Sequence, residues 1–170
     1  MAPPPSDEEF TEFVDDAWPT LYRTAYLLVG DRGLAEDLVQ TTLSKTYVSW
    51  GRIRDRRAAG VYARTVLVNT ASSWFRRRSW SSEIATSDLP DRPVVESDSD
   101  RPLVLEALRA LPPRQRAVVV LRFYEDLSVE QTATALGINA GTVKSQTSHA
   151  MAKLRSLLGE SVIPEGANHG

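Results

Sequence analysis

The sequence has no cysteine and only two histidines, His149 and His169. It therefore has no disulfide, no thiolate metal ligand and no cysteine nucleophile, and this composition suits a reducing cytoplasm. Two histidines are too few for a histidine-rich metal site, so we expect neither a metal nor a cofactor. No apolar run approaches the roughly 20 residues that span a bilayer, and residues 1–9 are too acidic for a secretory signal. The sequence predicts a cytoplasmic protein without a membrane segment.

Signals of catalysis are also missing. The chain has no paired carboxylates at a catalytic spacing, no phosphate-binding glycine loop and no arrangement of a nucleophile with a base. The adjacent acids Asp15–Asp16 and Glu125–Asp126 are typical of helix ends and turns. We therefore expect a protein that is not an enzyme.

Charge is distributed in blocks that the net charge of −2 conceals. Residues 10–78 carry +4 and residues 102–160 carry +2, whereas residues 79–101 carry −4. The N-terminal residues 1–9 add −3 and the tail 161–170 adds −1. Two basic blocks on either side of an acidic segment indicate contact with a charged partner, and nucleic acid is the first candidate.

Helical periodicity runs through both basic blocks, and no alternating strand pattern is present. The predicted fold class is all-α, with two small helical domains at residues 10–78 and 102–160. Residues 79–101 are rich in Ser, Asp and Pro, which predicts a flexible acidic linker. Residues 1–9 and 161–170 are predicted to be disordered ends.

The first block is predicted to contain four helices. Ser6 and Glu9 form a capping box for the first helix, and Pro19 is expected to end it. Gly30 is expected to close the second helix in a left-handed conformation, and Asp31 to cap the third. The predicted limits are residues 6–18, 20–29, 31–50 and 58–78.

The second block carries the strongest signal, a helix-turn-helix at residues 128–158. Ser128 and Gln131 form a capping box, Gly137 supplies the turn, and Asn139 caps the second helix. The polar face of that helix would enter the major groove and bind DNA through Thr142, Lys144, Ser145, Gln146, Ser148 and His149. Contacts to the DNA backbone are expected from Arg114, Arg116, Arg122, Lys153 and Arg155. The alternative is an ordinary helical hairpin with a solvated polar face.

A second signal is the aromatic and basic end of the fourth predicted helix. Bases of single-stranded DNA stack on aromatic rings while arginines hold phosphates, and an asparagine can bond a base edge. The residues that would contact such a strand are Tyr62, Arg64, Asn69, Trp74, Arg76, Arg77 and Arg78. Alternatively, Trp74 and Phe75 are core residues and the arginines merely end a helix.

Four stretches together resemble the extracytoplasmic-function group of bacterial sigma-70 factors, in particular the actinobacterial sigma-E family. They occur in the family's order over about residues 10–158. The stretches are Ala35-Glu36-Asp37-Leu38-Val39-Gln40, then Arg64 to Arg78 with Asn69, then Leu111-Pro112-Pro113-Arg114-Gln115-Arg116, and Leu136-Gly137-Ile138 with Gly141-Thr142-Val143-Lys144-Ser145.

The resemblance implies a division of labour between the two blocks. The first would be sigma region 2, in which Glu36, Asp37 and Gln40 bind the β′ clamp helices of core RNA polymerase. Its last helix and the preceding basic loop would recognise and melt the minus-ten element. The second block would be region 4, which reads the minus-thirty-five element and meets the β flap. An anti-sigma factor is a further partner that the resemblance allows.

The chain departs from the family pattern in the recognition helix, where relatives usually carry arginine and this chain has Gln146 and His149. Glutamine favours a bidentate contact with adenine over guanine, and histidine is mostly neutral near pH 7. The sequence therefore predicts weaker or altered binding to the upstream element.

Two other functions remain open from the sequence. A LuxR-type helix-turn-helix regulator resembles residues 111–158 almost as well, and it would bind duplex DNA without polymerase. Such a regulator would need neither the residues from Trp74 to Arg78 nor the acidic linker. A helical adaptor that binds only protein is the other alternative, and loss of DNA binding in Lys144→Ala with Gln146→Ala would argue against it.

Overall fold

The computed structural model describes residues 6–78 and 103–159, and all regular secondary structure in these two segments is helical. The chain divides into two compact units, with the division between Ser72 and Ser73. The all-α fold class is thus confirmed. The predicted linker, residues 79–101, and the predicted tail, residues 161–170, lie outside the described residues, as do residues 1–5. The prediction of a disordered N-terminus over residues 1–9 is wrong for residues 7–9, which form the first turn of α1. The domain limits 10–78 and 102–160 stay predictions.

Seven α-helices are present in the described residues. They are α1 (Asp7–Val29), α2 (Arg32–Val48), α3 (Arg56–Arg78), α4 (Leu103–Ala110), α5 (Pro113–Val119), α6 (Val129–Leu136) and α7 (Ala140–Leu158). A 3₁₀ turn, Trp50–Arg52, lies between α2 and α3, and a π-helical turn, Val120–Tyr124, continues α5. No helix in these segments is long and apolar enough to cross a membrane.

Helix α1 corrects the prediction that Pro19 separates two helices, because it continues through that proline to Val29. Pro19 lacks the N–H that would bond the carbonyl oxygen of Asp15, but both residues are exposed, so water can satisfy that oxygen. Helix α1 packs against α2, and it has buried residues on both sides of the proline, at Phe13 and at Leu21. Tertiary packing thus outweighs the local break.

Replacing Pro19 with alanine is expected to raise the free energy of unfolding of the first unit by about 2 kcal/mol. The variant restores one helical hydrogen bond, and the gain is reduced because alanine frees the unfolded chain. Urea denaturation of the variant measures the change, with Thr20→Ala as the control for an exposed alanine on the same turn. A stability equal to that of the control would show that Pro19 costs the helix nothing.

The predicted caps of the first unit are confirmed. Ser6 and Glu9 form the reciprocal capping box of α1, and Gly30 ends it with a φ of 71°. The Asp31 side chain accepts a hydrogen bond from the backbone N–H of Leu34 at 2.8 Å. Helix α2 ends at Val48 rather than Trp50, and α3 begins at Arg56 rather than Ala58. The chain therefore has a defined loop of residues 49–55 between α2 and α3.

In the second unit, α7 packs against α4, α5 and α6. The helix-turn-helix buries five apolar residues, Ala133, Leu136, Val143, Ala150 and Leu154. Ile138, in the turn, is half-buried. Helix α5 widens into the π-helical turn after Val119. The backbone N–H of Glu125 then bonds the carbonyl of Val120, five residues back.

The prediction that Arg116 contacts the DNA backbone is wrong, because its side chain is buried in the protein. Only 5% of the residue is exposed. Its guanidinium donates hydrogen bonds to the carbonyl oxygens of Leu108 at 2.9 Å, Arg109 at 3.2 Å and Leu111 at 3.1 Å. These carbonyls lie at the C-terminal end of α4, where backbone C=O groups have no N–H donor from a following helical turn. Burial lowers the pKa of Arg116 to about 10, so it stays charged near neutral pH and caps α4.

Candidate nucleic-acid interface

The turn between α6 and α7 fixes where the second helix of the motif begins. Ser128 and Gln131 form the capping box of α6, and Gly137 ends that helix with a φ of 67°. The Asn139 Oδ1 then accepts hydrogen bonds from the backbone N–H of Thr142 at 2.7 Å and from its hydroxyl at 3.0 Å. These caps confirm the helix-turn-helix predicted from sequence. They also occupy the Thr142 hydroxyl within the turn.

The exposed side of α7 brings together four of the six predicted DNA-contacting residues, Lys144, Ser145, Ser148 and His149. The opposite side is buried in the unit at Val143, Thr147, Ala150, Met151 and Leu154. Thr142 and Gln146 are half-buried at the edge between the two sides. The short polar chains Ser145 and Ser148 leave the helix backbone accessible, which suits an approach to base edges.

The cations predicted to contact the DNA backbone fall into different environments. Lys153 is exposed, and Arg114 and Arg155 are half-buried. Arg122 is half-buried and donates a hydrogen bond to the carbonyl of Leu127 at 2.9 Å. Lys153 is therefore the least constrained of these side chains for contact with phosphate.

Helix α3 arranges the residues of the second signal on more than one side. Tyr62, Asn69 and Arg76 are exposed and seven residues apart, so they lie along one side of the helix at intervals of about 10 Å. Arg64 and Arg77 are exposed on other sides. Trp74 is half-buried and lies seven residues after the buried Leu67. The side chain of Arg78 lies outside the described residues.

The loop 49–55 adds two arginines to the candidate interface, Arg52 and Arg54, which the sequence alone placed in a basic loop. Arg52 and Arg54 are exposed, while Trp50 is 4% exposed. The Tyr62 hydroxyl bonds the Ser49 hydroxyl at 2.8 Å, which joins the start of the loop to α3. The helical fold thus presents a basic loop beside the Tyr62 side of α3. The sequence signal for this loop is its run of basic residues, which includes Arg52 and Arg54.

The predicted polymerase-binding residues share one side of α2. Glu36, Asp37 and Gln40 are exposed, and the intervening Leu38 and Val39 are fully buried. This burial fixes the rotation of the helix, so the two carboxylates face solvent as a rigid acidic surface.

Two sigma-factor family models match the chain. The model "Sigma-70 region 2" matches residues 13–81, and "Sigma-70, region 4" matches residues 101–154. The RNA polymerase sigma-E factor of Streptomyces coelicolor is 45% identical over 153 residues, which cover 88% of this chain and 86% of the relative. The chain belongs to the sigma-70 family.

A more distant relative also places the chain in the extracytoplasmic-function (ECF) group of that family. The ECF RNA polymerase sigma factor SigL of Mycobacterium tuberculosis is 34% identical, with 86% of each chain covered. A solved structure of the sigma factor RpoE with the anti-sigma factor NepR, from Bartonella quintana, has a TM-score of 0.61 and 28% identity. The similarity covers 90% of this chain and 98% of that one.

The family assignment decides between the functions that the sequence left open. This sigma factor binds core RNA polymerase and directs promoter-specific transcription initiation. A LuxR-type regulator would have no counterpart of region 2, so it is not favoured.

Proposed function

We propose that this sigma factor divides promoter recognition between the exposed side of α7 and the loop 49–55 with α3. The observation that carries this division is the packing of α7. One side is buried within the second unit, while Lys144, Ser145, Ser148 and His149 are exposed in the half of α7 that follows the turn. The N-terminus of α7 carries the positive pole of the helix dipole, which favours approach to phosphate. It would read the minus-thirty-five element as duplex.

The loop 49–55 and α3 would recognise and melt the minus-ten element. The exposed Tyr62 ring can stack on an unpaired base, and Asn69 can bond a base edge along the same side of α3. Arg52 and Arg54 of the loop, with Arg64, Arg76 and Arg77 of the helix, would hold the strand's phosphates. Arg78 belongs to the same proposal by sequence alone, and Trp74 would contribute only the exposed part of its ring.

The acidic side of α2 would bind the β′ clamp helices through Glu36, Asp37 and Gln40, and region 4 would contact the β flap. Polymerase itself forms the RNA bonds, so the chain contributes binding and no catalysis. The protein would act in the cytoplasm. The similarity to a sigma factor crystallised with an anti-sigma factor supports a partner of that class here.

Upstream-element binding tests the role of α7 most directly. We expect the double substitution Gln146→Arg with His149→Arg to strengthen binding about tenfold at low salt, because arginine adds phosphate contacts and a bidentate contact to guanine. The preferred base opposite residue 146 should shift from adenine towards guanine. Binding of the polymerase complex to a set of upstream elements, over a range of salt concentrations, measures both effects.

The matched control is Ala152→Arg with Ser156→Arg, which adds the same charge to exposed positions farther along α7. The control should strengthen binding less and leave base preference unchanged. If both double variants behaved alike, α7 would not read the upstream element through residues 146 and 149.

A further inference from the structure

The first turns of α1 contact residues at both ends of the loop 49–55. The Tyr47 hydroxyl, just before the loop, donates a hydrogen bond to the Asp7 carboxylate at 2.8 Å. The Trp50 indole N–H, inside the loop, donates to the carbonyl oxygen of Ser6 at 3.1 Å. Arg56, just after the loop, forms an ion pair with Glu12. Three polar contacts thus join segments that are about 40 residues apart in sequence.

Aromatic packing strengthens the same junction. The Phe10 ring lies edge-on to Tyr47, with centroids 4.9 Å apart, and to Trp50, with centroids 5.0 Å apart. Phe13, which is buried, contacts Trp50 from the next turn at 5.3 Å. Trp50 therefore packs against two phenylalanines of α1, and an edge-on aromatic pair is favourable beyond the area it buries.

Each end of the loop is also tied to α3. The Ser49 hydroxyl bonds Tyr62, and the Asp55 side chain accepts a hydrogen bond from the backbone N–H of Arg57 at 3.0 Å. Between these ties the exposed residues Arg52 and Arg54 project from a short backbone whose one buried side chain is Trp50. The position of the two arginines therefore depends on where α1 holds Trp50.

We propose that Asp7, Phe10 and Glu12 of α1 are positioning residues for promoter reading, because they hold the loop 49–55 through Tyr47, Trp50 and Arg56. The inference rests on the proposed role of that loop at the minus-ten element. Asp7 lies in the first turn of α1, where an acid is ordinarily explained by the helix dipole, and Glu12 lies one turn later. Here Asp7 and Glu12 have a specific partner at either end of a DNA-facing loop.

The role predicts a selective defect. Asp7→Asn with Glu12→Gln removes two carboxylates from the contacts while it leaves the capping box of Ser6 and Glu9 intact. Promoter opening should slow about three- to tenfold, the size expected from losing two exposed polar contacts. Discrimination between the cognate minus-ten element and single-base variants should fall as well. Affinity for core polymerase should not change, because the acidic side of α2 is untouched.

The experiment uses the full chain with core polymerase. Permanganate reactivity of unpaired thymines gives the opening rate on a duplex promoter and on single-base variants of its minus-ten element. A premelted promoter measures strand binding without opening. The matched control is Glu8→Gln with Asp15→Asn, which removes the same two charges from exposed positions on α1. Thermal unfolding and core affinity are measured for every variant.

Slower opening and weaker base discrimination in the contact variant, with the control equal to wild type, would support the proposal. Equal behaviour of the two double variants would overturn it. A lowered unfolding midpoint with a proportional loss of core binding would also overturn it, since the contacts would then serve only the fold. If Arg52→Ala with Arg54→Ala opened the promoter as fast as the wild-type chain does, the proposed role of the loop would itself be wrong.

Discussion

Replacing Arg116 with alanine is expected to lower the free energy of unfolding of the second unit by about 3 kcal/mol. The side chain is 5% exposed and its guanidinium bonds three carbonyl oxygens at the end of α4. Alanine leaves the carbonyls of Arg109 and Leu111 without this donor and opens a cavity beside them. Because α4 also packs on α7, the loss should spread to the recognition helix.

Urea denaturation followed by helical circular dichroism measures this change, and hydrogen exchange of the α4 and α5 amides localises it. Lys153→Ala removes one positive charge from an exposed position of the same unit and should change stability little. Arg116→Lys keeps the charge but cannot reach three carbonyls in one plane, so it should recover less than half of the loss. Equal stability of Arg116→Ala and Lys153→Ala would contradict the capping role.

Reversing the charge of Asp37 should weaken binding of core polymerase by at least about tenfold, because a like-charge contact at an interface costs several kcal/mol. Asp37 is exposed on α2 between the fully buried Ala35 and Leu38, so Asp37→Arg should leave the helix in place. The effect therefore falls on the partner and not on folding. Competition binding of labelled variants to core polymerase measures it.

The control for this variant is Asp15→Arg, the same chemical change at an exposed position of α1. Circular dichroism and thermal unfolding check that both variants keep the fold. Equal core affinity of the two variants would place the polymerase-binding surface elsewhere than the acidic side of α2.

Local signals predicted much of this fold because their chemistry is local. A capping box needs two residues three positions apart, and both boxes, at Ser6 and at Ser128, form as expected. Gly30 and Gly137 adopt positive φ, the conformation that a glycine helix cap provides without strain. The helix-turn-helix followed from these caps and from the spacing of its apolar residues.

Features that depend on distant packing were predicted less well. The local sequence around Pro19 predicts a helix end, but tertiary packing of the buried residues on both sides of it keeps α1 continuous. In the sequence, Arg116 is one of several cations near a DNA-binding motif. Only the folded chain shows that α4 ends over its guanidinium. A local pattern does not encode which orphan carbonyl a long side chain will reach.

In the candidate interface too, local patterns predicted some features and missed those that depend on distant contacts. Helical periodicity placed Lys144, Ser145, Ser148 and His149 on one exposed side, and the structure agrees. The links from Asp7 and Glu12 to the loop 49–55 join residues about 40 positions apart, which periodicity cannot reveal.

Run-off transcription with purified core RNA polymerase tests the central claim most directly. The full chain is added to core enzyme on a library of candidate promoters, and start sites are mapped for every transcript that requires it. The account predicts promoter-dependent transcripts that share an upstream and a downstream element, and their loss with Asp37→Arg. Sequence-specific binding to duplex DNA by the chain alone, with no core binding and no transcript, would contradict it.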